Sequence, residues 1–311
     1  MEQRERDKKR LLPPFSTWVS EGASLPEWLS RSHMARGKSA PQPPSFAVQM
    51  DSWVRRSRIQ EKLLGTDSTP RLLRRRAWAS DWLTSRGWKT PEILSGPFAL
   101  QDIAQHLEGL ESGVIKPVNA TNAWGVLPFV RTGPFEFQNL FDGERYRMSE
   151  VLERLHNPMQ RYMFPNKWQI ETLIAPKGEP NRVPDDFKVY AFAGEIALIL
   201  QVRRHTSGNR YKFYDSEWNP VDTGKYPDTT DNDLPLPEVP ESLCEVASKI
   251  SSALPVPFCR IDLFEGSEGL AVGELTPEPG RYQAFSDSAD LYLGAFFEWA
   301  LAVQSLQQSD T

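Results

Sequence analysis

The chain has 311 residues, 39% of them hydrophobic, with 26 prolines and ten tryptophans. Such a length and composition predict a globular protein of one large or two moderate domains and exclude a wholly disordered chain. The formal net charge of −5 argues against nucleic acid as the default partner, but the balance is uneven. Arg and Lys dominate residues 1–89, while Asp and Glu concentrate after residue 135.

No apolar run approaches the ~20 residues that span a bilayer. The charged start, MEQRERDKKR, and the polar PPFSTWVS after it do not read as a signal-peptide core. Cys244 and Cys259 lack metal-type spacing, so neither a disulfide framework nor a zinc site is expected. The expected location is cytoplasmic.

Residues 1–45 read as a polar, Pro-rich extension without sustained periodicity, with Trp18 and Trp28 placed to anchor it. From Ser52 to Gly87 the pattern is helical, and RRRAWASDWLTSRGW places Trp78 and Trp82 on one stripe. Arg55, Arg56, Arg58, Lys62, Arg71, Arg74, Arg75 and Arg76 make this the most basic part of the chain. Such a run is either a solvated helix face or a phosphate-contacting surface for a nucleotide or RNA. A short helix is predicted at Leu100–Leu110, where Leu100, Ile103, Ala104, Leu107 and Leu110 recur at helical spacing.

GVIKPVNATNAWGVLPFV reads as a strand, a polar loop and a strand. Lys116 stands at the end of the first, where a lysine can reach a phosphate that backbone N–H groups cradle. Lysines are also common at strand ends without that role. Phe135–Arg147 alternates around FDGE as a hairpin, and Met148–Met163 is a helix capped by Ser149. KWQIETLIAP is a strand with Glu171 inside it. A buried carboxylate needs a partner, and a ligand hydroxyl or amine at the strand end is a candidate.

PDDFKVYAFAGEIALILQVRRH is a hairpin turning at Ala193–Glu195. Lys188, Tyr190 and Phe192 share one face of its first strand, and its second runs into Arg203 and Arg204. A Pro- and Asp-rich loop leads to an amphipathic helix at Glu241–Leu254, and a helix from Asp290 to Leu306 closes the chain.

The most informative stretch is FCRIDLFEGSEGLAVGELTPEPG, Phe258–Gly280. Alternation puts Arg260, Asp262 and Phe264 on one strand face and Leu270, Val272, Glu274 and Thr276 on one face of the return strand. With a five-residue turn at Glu265–Gly269, Phe264 opposes Leu270, Asp262 opposes Val272 and Arg260 opposes Glu274. An arginine, two carboxylates and a hydroxyl then share one face. Oxygen ligands from adjacent strands suit a hard cation such as Mg2+ that also holds nucleotide phosphates. The plain alternative is a solvent-facing hairpin with cross-strand ion pairs.

In this order, VIKPVNATNAWGV, IETLIAP with PDDFKVYAFAGEI, and RIDLFEGSEGLAVGELTPEPG resemble the ATP-grasp superfamily, and most closely its TupA-like branch. The family pattern is R-x-D on a strand, a turn, then E-x-N and P-G; here it is R-I-D, E-L-T and P-G. The resemblance spans roughly residues 70–300. It implies an α+β (α/β) ATP-grasp fold, two α+β subdomains clasping a nucleotide behind an N-terminal helical or irregular extension. The implied division is an extension at 1–45, a helical substrate-side part at 46–110, a small subdomain at 111–180 and a C-terminal subdomain with the metal site at 181–311.

The resemblance also implies roles. Lys116 matches the lysine on the α- and β-phosphates of ATP. Arg76 stands at the place of an earlier nucleotide lysine, and Asn119, Thr121 and Asn122 lie in the loop that is usually Gly-rich. Glu171 with Thr172, Leu173 and Ile174 matches the hinge that reads adenine and ribose. Asp262 and Glu274 match the Mg2+ carboxylates, with Thr276 where many relatives have Asn. Arg260 matches the arginine on the developing oxyanion; Lys188, from the D-Y-K signature written here D-F-K, and Arg203 are the further substrate-side residues.

The implied reaction is ADP-forming ligation of a carboxylate to an amine through an acyl phosphate, with ATP and Mg2+. An amino acid, peptide or sugar-linked acceptor is expected, in assembly of a cell-surface polymer or a secondary metabolite. That chemistry needs cations more than a protein nucleophile, and the scattered histidines offer no triad. Two other readings stay open: a kinase using the same nucleotide apparatus, and a non-catalytic nucleotide- or RNA-binding accessory protein using the basic segment 55–76. The sequence admits a homodimer and does not select one.

Overall fold

The computed structural model describes residues 11–26, 44–119, 123–205 and 207–309. Helix α1 (Phe15–Ser20) is followed by α2 (Phe46–Leu64), α3 (Thr69–Leu73) and α4 (Arg76–Thr84). The helical pattern expected from 52 to 87 is thus interrupted, and its breakers are visible. Gly65 ends α2 in the left-handed region at φ 68°, and the Ser68 hydroxyl accepts from the Arg71 N–H to start α3.

A first sheet contains β1 (Ile93–Phe98), β2 (Ser112–Pro117), β3 (Leu127–Gly133), β4 (Glu136–Asn139), β5 (Arg145–Arg147) and β6 (Trp168–Glu171). Helix α5 (Ile103–His106) lies between β1 and β2, and α6 (Met148–Tyr162) between β5 and β6. The strand order is β1-β6-β2-β3-β4-β5, every neighbouring pair antiparallel. Trp168, Ile170, Phe129 and Phe137 pack with Val151 and Leu155 of α6 as its core.

The second sheet holds β7 (Asp186–Phe192), β8 (Glu195–Arg203), β9 (Arg210–Asp215), β10 (Pro220–Val221), β11 (Cys259–Gly266) and β12 (Gly269–Thr276). Helix α7 (Pro240–Ala253) precedes β11, and α8 (Asp287–Ser309) ends the fold. The order is β10-β9-β8-β7-β11-β12, again antiparallel throughout. The fold is α+β, two antiparallel sheets with helices against them. Ala193 and Gly194, both at positive φ, make the β7–β8 turn at the place the sequence predicts.

Two local expectations change. Leu100–Leu110 is a 3-10 turn at Leu100–Asp102 followed by the single-turn α5, with Ala104 exposed while Leu100, Ile103 and Leu107 are buried. The cap of α6 is Arg147 rather than Ser149, because the Glu150 carboxylate reaches back to accept from the Arg147 N–H at 2.6 Å.

Residues 11–26 are built into the second core. Phe15 and Trp18 pack on Tyr292 of α8 with ring centroids 5.1 and 5.2 Å away, and the Tyr292 hydroxyl donates to Pro13 O at 2.9 Å. Trp28 lies outside the described residues. The helices of 46–84 join the same core through Phe46, Met50, Leu73 and Leu83.

Candidate active site

The β11–β12 hairpin has a tighter turn and a different register from those expected. Gly266 pairs with Gly269, leaving Ser267 and Glu268 as the turn, and Phe264 opposes Ala271. A bulge at Gly273 then shifts the register, so that Asp262 opposes Glu274 and Arg260 opposes Thr276. Phe264 explains the bulged residue: a Cβ on Gly273 would lie 2.3 Å from its ring. The bulge turns Val272 inward, opposite Leu263, and still sets Glu274 and Thr276 beside the charged face.

On that face the charges interlock. Asp262, 3% exposed, accepts from Arg260 Nε at 2.6 Å and Nη2 at 2.7 Å, and from Lys188 Nζ at 2.6 Å. Lys188, opposite Asp262 on β7, also donates to Asp186 at 2.5 Å, and Arg260 Nη2 donates to the Thr276 hydroxyl at 3.1 Å. Burial alone would raise the Asp262 pKa, but Arg260 and Lys188 hold it below the ordinary carboxylate value. Burial works against the Arg260 charge as well, and Asp262 outweighs it, so Arg260 titrates above its usual range. The second Asp186 oxygen is buried without a hydrogen-bond partner.

The other half of the site comes from the first sheet. Val114 opposes Glu171 and Lys116 opposes Gln169, so Lys116 reaches the Glu171 carboxylate diagonally and pairs with it. Gln169 donates to the other Glu171 oxygen at 2.6 Å. Glu171 therefore has its partner inside the protein, where the sequence suggested a ligand. Burial lowers the Lys116 pKa, Glu171 opposes that shift, and Arg76 adds to it.

Arg76 at the start of α4 donates to Pro117 O at 3.0 Å, and Arg76, Lys116, Glu171 and Glu274 line one cavity of about 40 Å3. Small-ligand pockets run to roughly 300–1,000 Å3, so this cleft is closed and must widen to admit a nucleotide. Backbone bonds draw its walls together: Val272 N–H to Lys89 O at 2.8 Å and Ser267 N–H to Ala175 O at 2.9 Å. A larger depression of about 600 Å3, between Gly125 and α6, contains none of these residues.

The remaining expected residues divide. The Thr172 N–H is engaged by Glu92 O at 2.9 Å; among the described residues no hydrogen bond engages the N–H of Leu173 or Ile174. Ile174 packs against Gly266, where an added Cβ would come within 2.7 Å of it. Asn119 is exposed in the turn after β2, and Thr121 and Asn122 lie outside the described residues. Arg203 is held in a two-point pair by Asp185 at 2.8 and 2.7 Å, in a network with Arg182 and Gln201. Of the basic segment, Arg71 pairs with Glu61 and Asp67, Arg75 with Asp67 and Arg74 with Glu278, while Arg76 faces the cleft.

Sequence reading missed Asp186, which the row recruits through Lys188, and the group Lys225, Tyr226 and Arg281. Asp186 stands two places before the flagged Lys188 on the same face, a signal that was there to read.

Among the described residues no three His, Cys, Asp or Glu side chains converge as a metal site. The donor chemistry nevertheless fits Mg2+, which takes one or two carboxylates and completes its shell with water and phosphate. Glu274 is exposed, has no ion-pair partner among the described residues, and stands opposite Asp262. Thr276 offers only a hydroxyl already engaged by Arg260.

No curated protein matches the chain in sequence. Among solved structures it resembles the ATP-grasp ligase PsnB, complexed with a precursor variant, Mg and ADP, at 12% identity and a TM-score of 0.42, over 83% of this chain and 72% of that one. It also resembles D-alanine–D-alanine ligase from Bacillus anthracis at 16% identity and a TM-score of 0.48, over 81% of this chain and 76% of that one. The TupA-like ATP-grasp family matches residues 99–298, more than half of the chain, and includes the β2 lysine, the β7 lysine and the β11–β12 hairpin. The chain belongs to the TupA-like ATP-grasp family.

Proposed function

We propose that the protein is an ATP-dependent, ADP-forming ligase that joins a carboxylate to an amine. The observation that supports this most is the cleft in which Arg76, Lys116 and Glu171 meet Glu274, with Asp262 and Arg260 on the same hairpin as Glu274 and Lys188 on the adjoining β7. Lys116 and Arg76 would neutralise ATP phosphates, and Leu173 and Ile174 would present the backbone to adenine. Glu274 and Asp262 would hold Mg2+, which supplies charge neutralisation at the phosphates. Cationic side chains contributed from both sides of a closed cleft fit a reaction whose barrier is the meeting of two anions.

In this reading a substrate carboxylate oxygen bonds to the γ-phosphorus as the bond to the bridging oxygen breaks and ADP leaves. Arg260 faces the acyl phosphate so formed. The amine nitrogen then bonds to the acyl carbon, inorganic phosphate leaves, and the amine proton passes to solvent. The small lobe at 111–180, extended by β1, and the metal-bearing lobe at 181–311 are part of the same proposal, as is a role in cell-surface polymer or secondary-metabolite assembly.

The test is ATP binding by calorimetry with and without Mg2+, on wild type and Glu274→Gln, followed by hydroxylamine trapping with candidate carboxylates. Mg2+-dependent binding that the variant loses supports the reading. Binding with no trapped acyl hydroxamate points to phosphotransfer to a hydroxyl. No nucleotide binding by wild type refutes it.

A further inference from the structure

Beside Arg260 lies a second group of cations for which the ligase reading has no use. Lys225 is 3% exposed, and its ammonium donates to the Gly280 carbonyl at 3.0 Å. It sits 4.5 Å from the centre of the Phe285 ring and 5.4 Å from that of Tyr226. The Arg281 guanidinium covers Tyr226 at 5.3 Å, and Tyr226 stacks on Tyr211 at 4.2 Å. Among the described residues neither Lys225 nor Arg281 has a carboxylate partner, whereas Arg260 and Lys188 share Asp262.

Two further features set this group apart from a surface cation–π stack. Tyr226 and Arg281 both occupy the left-handed region, at φ 63° and 56°, which L-residues other than glycine adopt at a cost and which gathers at functional sites. Burying an ammonium against one carbonyl is also unfavourable, and a neutral side chain would fill the same space more cheaply. Burial lowers the Lys225 pKa to about 7, and the charges of Arg260 on β11 and Arg281 after β12 push the same way. An anion placed between Lys225 and Arg281 would offset both charges.

We propose that Lys225, Tyr226 and Arg281 form a subsite for a second, non-reacting carboxylate of the acyl substrate, whose carbon spacer lies along the Tyr226 and Tyr211 rings while its other carboxylate meets Arg260. The substrate class is then a dicarboxylic acid or a chain that ends in one. This rests on the ligase reading and narrows it.

The experiment is calorimetry on the full-length protein with ADP and Mg2+, titrating glutarate, butyrate and inorganic phosphate. Glutarate is expected to bind at least about tenfold more tightly than butyrate, a difference of ~1.4 kcal/mol. Arg281→Gln, an exposed position that leaves the core intact, removes that preference and leaves ADP binding unchanged. Near neutral pH, glutarate binding takes up a proton, seen as heat that depends on the buffer, and Lys225→Met abolishes the uptake. Equal affinity for glutarate and butyrate, no binding of either, or a preference that survives Arg281→Gln overturns the subsite. Phosphate binding as tightly as glutarate overturns its assignment to a carboxylate. ADP binding is measured beforehand in its own titration with Mg2+: its absence from wild type counts against the ligase reading, whereas ADP binding without a dicarboxylate preference defeats the subsite alone.

Discussion

Replacing Lys225 by Met should stabilise the ligand-free protein, by an amount that depends on pH. The ammonium is buried, and its pKa falls from 10.5 to about 7 on folding. The sign follows from proton counts. Between about pH 7 and 10.5 the unfolded chain holds a proton at this lysine that the folded chain has released, so wild-type stability rises with pH there. Below about 7 both states are protonated and the penalty is complete. At 1.36 kcal/mol per unit, the penalty is on the order of 4 kcal/mol at pH 7 and roughly 2 kcal/mol at pH 9.

Methionine keeps a long unbranched stem over Phe285 and Tyr226 and carries no charge. Urea unfolding followed by tryptophan fluorescence, on both proteins at pH 7, 8 and 9, measures the difference directly. The variant is expected to be more stable at pH 7, with an advantage that shrinks by about 2 kcal/mol by pH 9. Parallel stability curves for the two proteins would refute the reasoning, because other titrating groups cancel in the comparison.

Glu274→Gln alters an exposed side chain without ion-pair partners among the described residues, so stability should stay within about 0.5 kcal/mol while Mg2+-dependent ATP binding falls. Thermal melts and calorimetry on one preparation check both. Asp262→Asn behaves oppositely: it removes the buried carboxylate that Arg260 and Lys188 share, and denaturant unfolding should show a loss of about 3–5 kcal/mol. Gly273→Ala presses a methyl group into the Phe264 ring and should cost about 1–3 kcal/mol. Adding Phe264→Leu should recover part of that loss; if it recovers none, the ring is not what demands glycine there.

The members of the site were more legible than its geometry. Alternation alone put Arg260, Asp262, Glu274 and Thr276 on one face, but alternation counts residues, and the bulge at Gly273 consumes one without changing the composition. Lys116 and Glu171 each drew attention singly. Their pairing depends on β6 lying between β1 and β2, a nonlocal neighbourhood that no local period reports. The lead-in looked structureless because α1 has six residues, too few to show a helical period, although Phe15 and Trp18 are core residues. Lys225 and Arg281 stand 56 positions apart in irregular segments and meet only through the Gly280 carbonyl and the Tyr226 ring.

Those pairings leave the charge of the site uneven, and the unevenness bears on function. Lys116 is matched by Glu171, and Arg260 with Lys188 by Asp262 and Asp186, so the half of the cleft assigned to nucleotide and metal is close to neutral. Phosphates entering there must exchange with carboxylates already in place, and part of their interaction energy goes into separating pairs that exist beforehand. Lys225 and Arg281 have no such partners among the described residues, and an anion reaching them gives up only its water. On the ligase reading, the acid substrate therefore meets the less compensated charge, and ATP binding, which must open a closed cleft and break its internal pairs, is the step that should depend most on Mg2+.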